Sequence, residues 1–130
     1  MAGGTILQER NYMVDHHVAV DLGDASGTGV LRIYVPATGA EIVEAMMIGN
    51  TVGAVTTSGV HTITIRSSAG VALTDSVAYD AETADGTVGA IFTGNGVSAG
   101  NKGTELQFIQ TETGTITDGA IVDVHVIWAL

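Results

Sequence analysis

The sequence predicts an all-β protein, an antiparallel β-sandwich or jelly roll of about eight strands in two sheets. Three observations predict this fold class. The 130 residues include 16 valines, 17 threonines and 11 isoleucines but six leucines, and branched β-carbons favour strands over helices. Apolar and polar residues alternate along several segments, which is the period of a half-buried strand. The 18 glycines interrupt these segments at short intervals, as the turns of a sandwich require.

The first two strands follow directly from the alternation. Residues 14–22 alternate strictly, and residues 23–29 are rich in glycine and are predicted to turn. The next alternation runs from Val30 to Val35, with Leu31 and Ile33 directed inward. Pro36 follows it and is predicted to end the strand, because proline cannot donate to a ladder.

The segment Glu41 to Ile48 fits two structures. Thr38 and Glu41 match a helix capping box, and Ile42, Ala45 and Met46 share one face of a helix. The same residues also fit a strand. We favour the strand, because a helix here would leave one sheet of the sandwich a strand short.

Five more strands complete the predicted sandwich. We expect them at Val60–Ser67, Val71–Thr74, Val88–Thr93, Thr104–Gln110 and Ala120–Leu130. Asp75 to Gly86 is predicted to be a connector with helical or irregular structure. The segment Ala120–Leu130 has the longest continuous apolar face, so we expect it to be a central strand.

The alternation divides the chain into an arm and one domain. Residues 1–13 precede it and mix apolar with polar side chains, whereas residues 14–130 form a single β-sandwich domain. We predict that the arm orders by adding as a strand to the edge of a neighbouring subunit or another protein partner; the alternative is a frayed terminus. Its candidate interface residues are Ile6, Leu7, Gln8, Arg10, Tyr12 and Met13.

Composition excludes several classes of function. The chain has no cysteine, which removes disulfide frameworks, thiolate zinc sites and cysteine nucleophiles. A formal charge of −10 argues against nucleic acid and anionic membranes as partners. The first residues lack the basic and apolar regions of a signal peptide, so we expect no export. Nothing in the sequence is apolar for long enough to span a membrane as a helix.

Two enzyme motifs occur in the glycine-rich segment before residue 104. Gly96-Val97-Ser98-Ala99-Gly100 fits the G-x-S-x-G nucleophile elbow, and Gly94-x-Gly96-x-x-Ala99 fits a relaxed dinucleotide fingerprint. Both motifs work only where a helix follows, and here a strand is predicted next. We therefore interpret the glycines as turn residues, and we predict no catalytic residues and no enzyme activity.

The sequence predicts no cofactor and no metal site within one chain. His16 and His17 are adjacent on a strand and point to opposite faces, so they cannot readily share one metal ion. His125 is expected at the surface or an interface. Asp21 to Asp24 resembles the start of a calcium loop but lacks its later ligands, which leaves open only a calcium ion bridging acidic loops of neighbouring subunits.

The order of these segments resembles that of capsid decoration proteins, small structural proteins encoded in tailed-phage head modules. In that family a strand ends in proline, as at Val30–Pro36, and a turn such as Gly96–Asn101 introduces a late strand, here Glu105–Phe108. The other segments that carry the resemblance are Ala40–Asn50, Val60–Arg66 and Gly119–Leu130.

The resemblance implies a non-enzymatic jelly-roll cement protein that binds the major capsid protein shell. It implies a homo-oligomer, with a trimer favoured, on the outer surface of the virion, made in the host cytoplasm. The alternative is a carbohydrate- or receptor-binding β-sandwich module of a phage tail or fibre. That alternative predicts an exposed groove containing Tyr12, Tyr34 or Tyr79, because sugar sites use exposed aromatics; we expect Trp128 and Phe108 in the core instead.

Overall fold

A computed structural model of the chain describes residues 12–22, 27–52, 60–80, 88–113 and 120–130. In these residues the chain forms eight strands and no helix, which confirms the all-β prediction. The strands are β1 (Tyr12–Leu22), β2 (Gly27–Tyr34), β3 (Glu41–Val52), β4 (Val60–Arg66), β5 (Val77–Asp80), β6 (Val88–Thr93), β7 (Glu105–Thr113) and β8 (Ala120–Ala129).

The eight described strands form two four-stranded antiparallel sheets. The first sheet has the order β1-β8-β3-β6, and the second has the order β2-β7-β4-β5. Strands that follow one another in the chain lie in different sheets, except for β4 and β5. The last two strands insert between earlier ones, β8 between β1 and β3 and β7 between β2 and β4. This is the strand order of a jelly roll, so the predicted sandwich is confirmed.

The core lies between the two sheets and is built by alternation along the strands. On β8, Val122, Val124, Val126 and Trp128 are all fully buried, as expected for a central strand. The other fully enclosed large side chains come from both sheets and from the loops after β2 and β4; they include Leu31, Val35, Met47, Ile63, Ile65, Leu73, Tyr79, Phe92 and Leu106. Burial of each such side chain contributes roughly 1.5–3 kcal/mol.

The segment Glu41 to Ile48 is a strand, and the helical alternative is wrong. A β-bulge between Ile42 and Glu44 places one extra residue in β3. Ile42 and Ala45 are therefore both buried although they are three positions apart, a spacing typical of a helix. After the bulge the alternation resumes, with Met47 buried and Met46 half-buried on the opposite face. The bulge thus explains why the sequence fits two structures.

The strand predicted at Val71–Thr74 is wrong. The connector predicted for Asp75–Gly86 is irregular at residues 75–76 as predicted but wrong at residues 77–80, and its remainder lies outside the described residues. The observed strand is β5, at Val77–Asp80, which pairs with β4. Residues 71–74 instead cross from the second sheet to the first. Leu73 N–H donates to the Ile65 carbonyl at 2.8 Å, and the Leu73 carbonyl accepts from Asn95 N–H at 2.9 Å. Because its partners lie in two sheets, this segment forms only isolated bridges.

Two predicted boundaries also move. Gly27 to Gly29, predicted to turn, already belong to β2 and pair with β7. Tyr12 and Met13, assigned to the arm, belong to β1 and pair with Ala129 and Trp128. The remaining arm residues, including Ile6, Leu7, Gln8 and Arg10, lie outside the described residues.

Candidate functional site

Three connections meet at one end of the sandwich, namely residues 35–40, 67–76 and 94–104. The first and third are joined by backbone hydrogen bonds at both ends. Val35 N–H donates to the Thr104 carbonyl at 2.9 Å, and Ala99 N–H donates to the Ala40 carbonyl at 2.8 Å. Ala99 is also buried, so the loop is fixed to the core by a side chain as well as by its backbone. This end of the molecule is therefore a rigid surface.

The G-x-S-x-G segment lies within this end and is a turn, as interpreted. Gly96 and Gly100 adopt φ values of 70° and 98°, which L-residues with side chains rarely reach. Ser98 bridges to Glu41 of β3, and its hydroxyl accepts from Gly100 N–H at 3.1 Å. The segment continues through a second turn into β7. Neither the nucleophile elbow nor the dinucleotide fingerprint has the helix that its chemistry requires.

A shallow cleft of about 280 Å³ lies between the second and third connections. Small residues line it: Ser67, Ser68, Ala69, Val71, Ser98, Ala99, Gly100, Asn101 and Thr104. Several of its hydroxyls serve the backbone, since Ser67 Oγ accepts from Val71 N–H at 3.2 Å and Thr104 Oγ1 donates to the Asn101 carbonyl at 2.8 Å. These lining residues include no acid, base or histidine. The cleft therefore offers polar contact but no group for proton transfer or metal binding.

The histidines of the first sheet have a relationship that the sequence did not show. The register of β1 and β8 places His17 directly opposite His125, which is half-buried on the outer face of the sheet. Predicting this pair requires the strand order, because the alternation of residues alone does not show that β1 and β8 are neighbours. Over the residues that the structure describes, no three His, Asp or Glu residues lie close enough to hold a metal ion.

The aromatic residues do not form a sugar platform from Tyr34 and Tyr79. Tyr79 is fully buried in the core, whereas Tyr34 is 48% exposed on the outer face of the second sheet. Trp128 and Phe108 lie in the core, as predicted. The side chain of Tyr12 lies outside the described part of the chain. The aromatic groove expected of a carbohydrate-binding module is thus not built from the tyrosines described here.

We use the name basic face for the outer surface of β2, β7 and β4, which includes Arg32, Tyr34, Arg66, Glu105 and Gln107. Gln107 lies opposite Arg66 in the β4–β7 register, and Glu105 lies opposite Tyr34 in the β2–β7 register. Arg66 is held in place, because its Nε donates to the Gly70 carbonyl at 3.1 Å. Arg32 is exposed. Among the described side chains the only other lysine or arginine is Lys102, in the loop before β7.

We use the name acidic face for the outer surface of β6, β3 and β8. Its acids are Glu41, Glu44 and Asp123, and its described side chains include no lysine or arginine. The face is also apolar. Ile91 is 54% exposed and lies opposite half-buried Met46, and the neighbouring positions are Val88, Ile48 and Ile127. The two outer faces therefore differ in charge and share exposed apolar side chains.

No segment that the structure describes forms a helix able to cross a membrane. No family model and no curated protein matches the chain. Among solved structures it is similar to the VP2 subviral particle of infectious bursal disease virus, with 12% identity and a TM-score of 0.42 over 91% of this chain and 32% of that chain. It is also similar to the structure of the Gx strain of that virus, with 15% identity and a TM-score of 0.33 over 91% of this chain and 31% of that chain.

This chain therefore spans about one third of the length of either neighbour. Both neighbours are structures from infectious bursal disease virus.

Proposed function

We propose that this chain is a non-enzymatic structural protein of a virus particle. It binds the outside of a phage capsid as a homo-oligomer, with a trimer favoured, and stabilises the shell of major capsid protein. The observation that carries the proposal is the exposure of large apolar side chains on both outer faces of the jelly roll. Val30 and Tyr34 on one face and Val88 and Ile91 on the other are each about half exposed. Apolar surface on two opposite faces is typical of a subunit with several neighbours.

The rigid loop end supports a structural role. Its backbone groups bond to one another across three connections, and the hydroxyls of Ser67, Ser98 and Thr104 in its cleft also bond to backbone groups. A protein that binds through many weak, repeated contacts needs a preorganised surface, because ordering each copy on the shell would cost free energy. The low charge content of 14% also keeps the desolvation cost of such contacts small.

The arm extends the proposal to specific residues. Ile6 and Leu7 with Gln8 and Arg10 contact a neighbouring subunit or the shell, as an added strand at a sheet edge. Tyr12 and Met13 anchor the arm, because they pair with the last residues of β8. An arm held at this point leaves the sandwich at the edge of the first sheet, where β1 lacks a partner on its outer side among the described strands.

The experiment that tests the function is electron microscopy of capsids assembled with and without this protein. The expected result is repeated outer density at symmetry axes of the shell. Thermal melting of the same capsids should give a higher melting temperature for the decorated ones. A chain lacking residues 2–11 keeps both partners of the Tyr12 and Met13 pairs, so we expect it to fold normally. We expect it to lose capsid binding or oligomer formation. Smooth capsids in the presence of saturating folded protein would contradict the proposed function, and full binding by the truncated chain would contradict the role of the arm.

A further inference from the structure

We infer that copies of this chain bind each other through their two unlike outer faces, the basic face of one copy against the acidic face of the next. The inference deepens the proposed function, because it names the contact that builds the oligomer. It rests on that proposed oligomer and on three properties of the described residues. The two faces differ in charge, both expose apolar side chains, and they are formed by different sheets.

The charges are segregated by sheet. In a chain with a net charge of −10, two of the three described lysine and arginine side chains, Arg32 and Arg66, lie on the basic face. The acidic face carries Glu41, Glu44 and Asp123 beside His125, and its described side chains include no lysine or arginine. Two acidic faces would repel each other on contact. Contact between unlike faces brings the two arginines, which Glu105 balances only in part, against a face with three carboxylates, and complementary charge of this kind sets orientation and speeds association.

The apolar side chains are distributed to match. On the basic face, Val30 is 51% exposed and Tyr34 is 48% exposed. On the acidic face, Ile91 is 54% exposed and Val88 is 46% exposed, beside half-buried Met46 and Ile48. Tyrosine and arginine beside aliphatic residues are the composition of interface cores. The contact therefore buries apolar surface that would otherwise remain in water and surrounds it with opposite charges.

The use of two different faces has a geometric consequence. A contact between unlike surfaces is heterologous, so each copy offers one face forward and the other backward. Such contacts close into a ring where the rotation between neighbouring copies allows it, and extend as an open stack where it does not. The strand topology thus makes the contact heterologous, since the two faces are the outer surfaces of two different sheets.

Charge reversal on each face tests the inference. Arg32→Glu places an acid on the basic face, and Glu44→Lys places a base on the acidic face. We expect each single variant to raise the dissociation constant of the oligomer at least tenfold in sedimentation experiments at low salt. We expect this increase to be smaller at high salt. The combined variant Arg32→Glu/Glu44→Lys reverses both faces of every copy, so we expect it to recover most of the lost affinity. Lys102→Glu makes the same charge change as Arg32→Glu in a loop off both faces, and we expect it to keep wild-type affinity.

Other results would overturn the inference. Oligomers unaffected by both single variants, a combined variant weaker than either single one, or a monomeric wild-type protein at high concentration each contradict pairing between unlike faces. Circular dichroism and melting of each variant show that the sandwich is intact. Capsid decoration measured on the same variants separates this inference from the proposed function. If the single variants leave the oligomer unchanged and still decorate capsids, the face pairing is wrong and the proposed function stands. If the wild-type protein does not decorate capsids, the proposed function itself is wrong.

Discussion

The ring of Phe108 packs against the backbone of Gly29, its partner across β2 and β7. A β-carbon at position 29 would overlap the ring, so this position of β2 has room only for glycine. Phe108 is 6% exposed and points into the core. Gly29 has no side chain to make contacts of its own, and the Phe108 ring packs on its backbone instead. This arrangement is known for glycines in sheets.

Replacing Gly29 with alanine is expected to destabilise the protein by about 1–3 kcal/mol, because the Phe108 ring must leave its packed position. Gly27 provides a matched control two residues earlier in β2. A β-carbon there meets no atom within 4 Å, so we expect Gly27→Ala to be neutral or slightly stabilising. Urea unfolding of the two variants measures the difference. Equal effects of the two substitutions would contradict the packing of Phe108 on Gly29.

Gly94 is expected to be more sensitive, because its neighbour is backbone rather than a side chain. Its N–H donates to the Val43 carbonyl at 2.9 Å, and a β-carbon would overlap the carbonyl of Ile42. The overlap is removed only if the end of β6 moves away from the bulge in β3, so we expect Gly94→Ala to destabilise the protein by roughly 3 kcal/mol or more. Gly103→Ala is the comparison, since it has a φ of 86° in open space and should cost only about 1 kcal/mol. Thermal unfolding followed by circular dichroism distinguishes the two, and a smaller loss at position 94 than at 103 would refute the close approach.

The alternation of residues was enough to predict most strands, including the central position of β8. It failed where the register is interrupted. The bulge beside Val43 gives Ile42 and Ala45 a helical spacing. Residues 71–74 form no regular strand, because their pairing partners lie in two different sheets. These are tertiary effects, because both depend on partners distant in the sequence.

The candidate interaction faces could not be predicted in the same way. Alternation shows that Arg32 and Arg66 point away from the core, but only the order β2-β7-β4 places them on one surface around Glu105. Likewise, Glu44 and Asp123 share a surface because β8 and β3 are neighbours. The rejection of the G-x-S-x-G motif was predictable, because the requirement for a following helix is local.

Thr74 is expected to hold the crossing segment between the two sheets. It is buried, and its hydroxyl accepts from Ile65 N–H at 3.2 Å and donates to the Asp75 carbonyl at 2.9 Å. Thr74→Val keeps the shape but leaves a buried N–H without this acceptor, so we expect a loss of about 1–3 kcal/mol. Thr74→Ser retains the hydroxyl and should cost less, about 1 kcal/mol for the lost methyl group. Hydrogen exchange at Ile65 reports the bond directly. Unchanged protection of that amide in Thr74→Val would show that the hydroxyl is not its partner.

Ser98 is expected to act as a turn residue and not as a nucleophile. A nucleophilic serine requires an adjacent base, yet the described residues lining its cleft include no histidine and no acid, and its hydroxyl accepts from Gly100 N–H. We therefore expect no covalent labelling of the wild-type protein by a fluorophosphonate probe, measured by intact mass. Ser98→Ala should cost only about 0.5–1.5 kcal/mol, the net value of one exposed turn hydrogen bond. Stoichiometric labelling that disappears in Ser98→Ala would contradict both the turn assignment and the non-enzymatic function, because it would require a base that activates this hydroxyl.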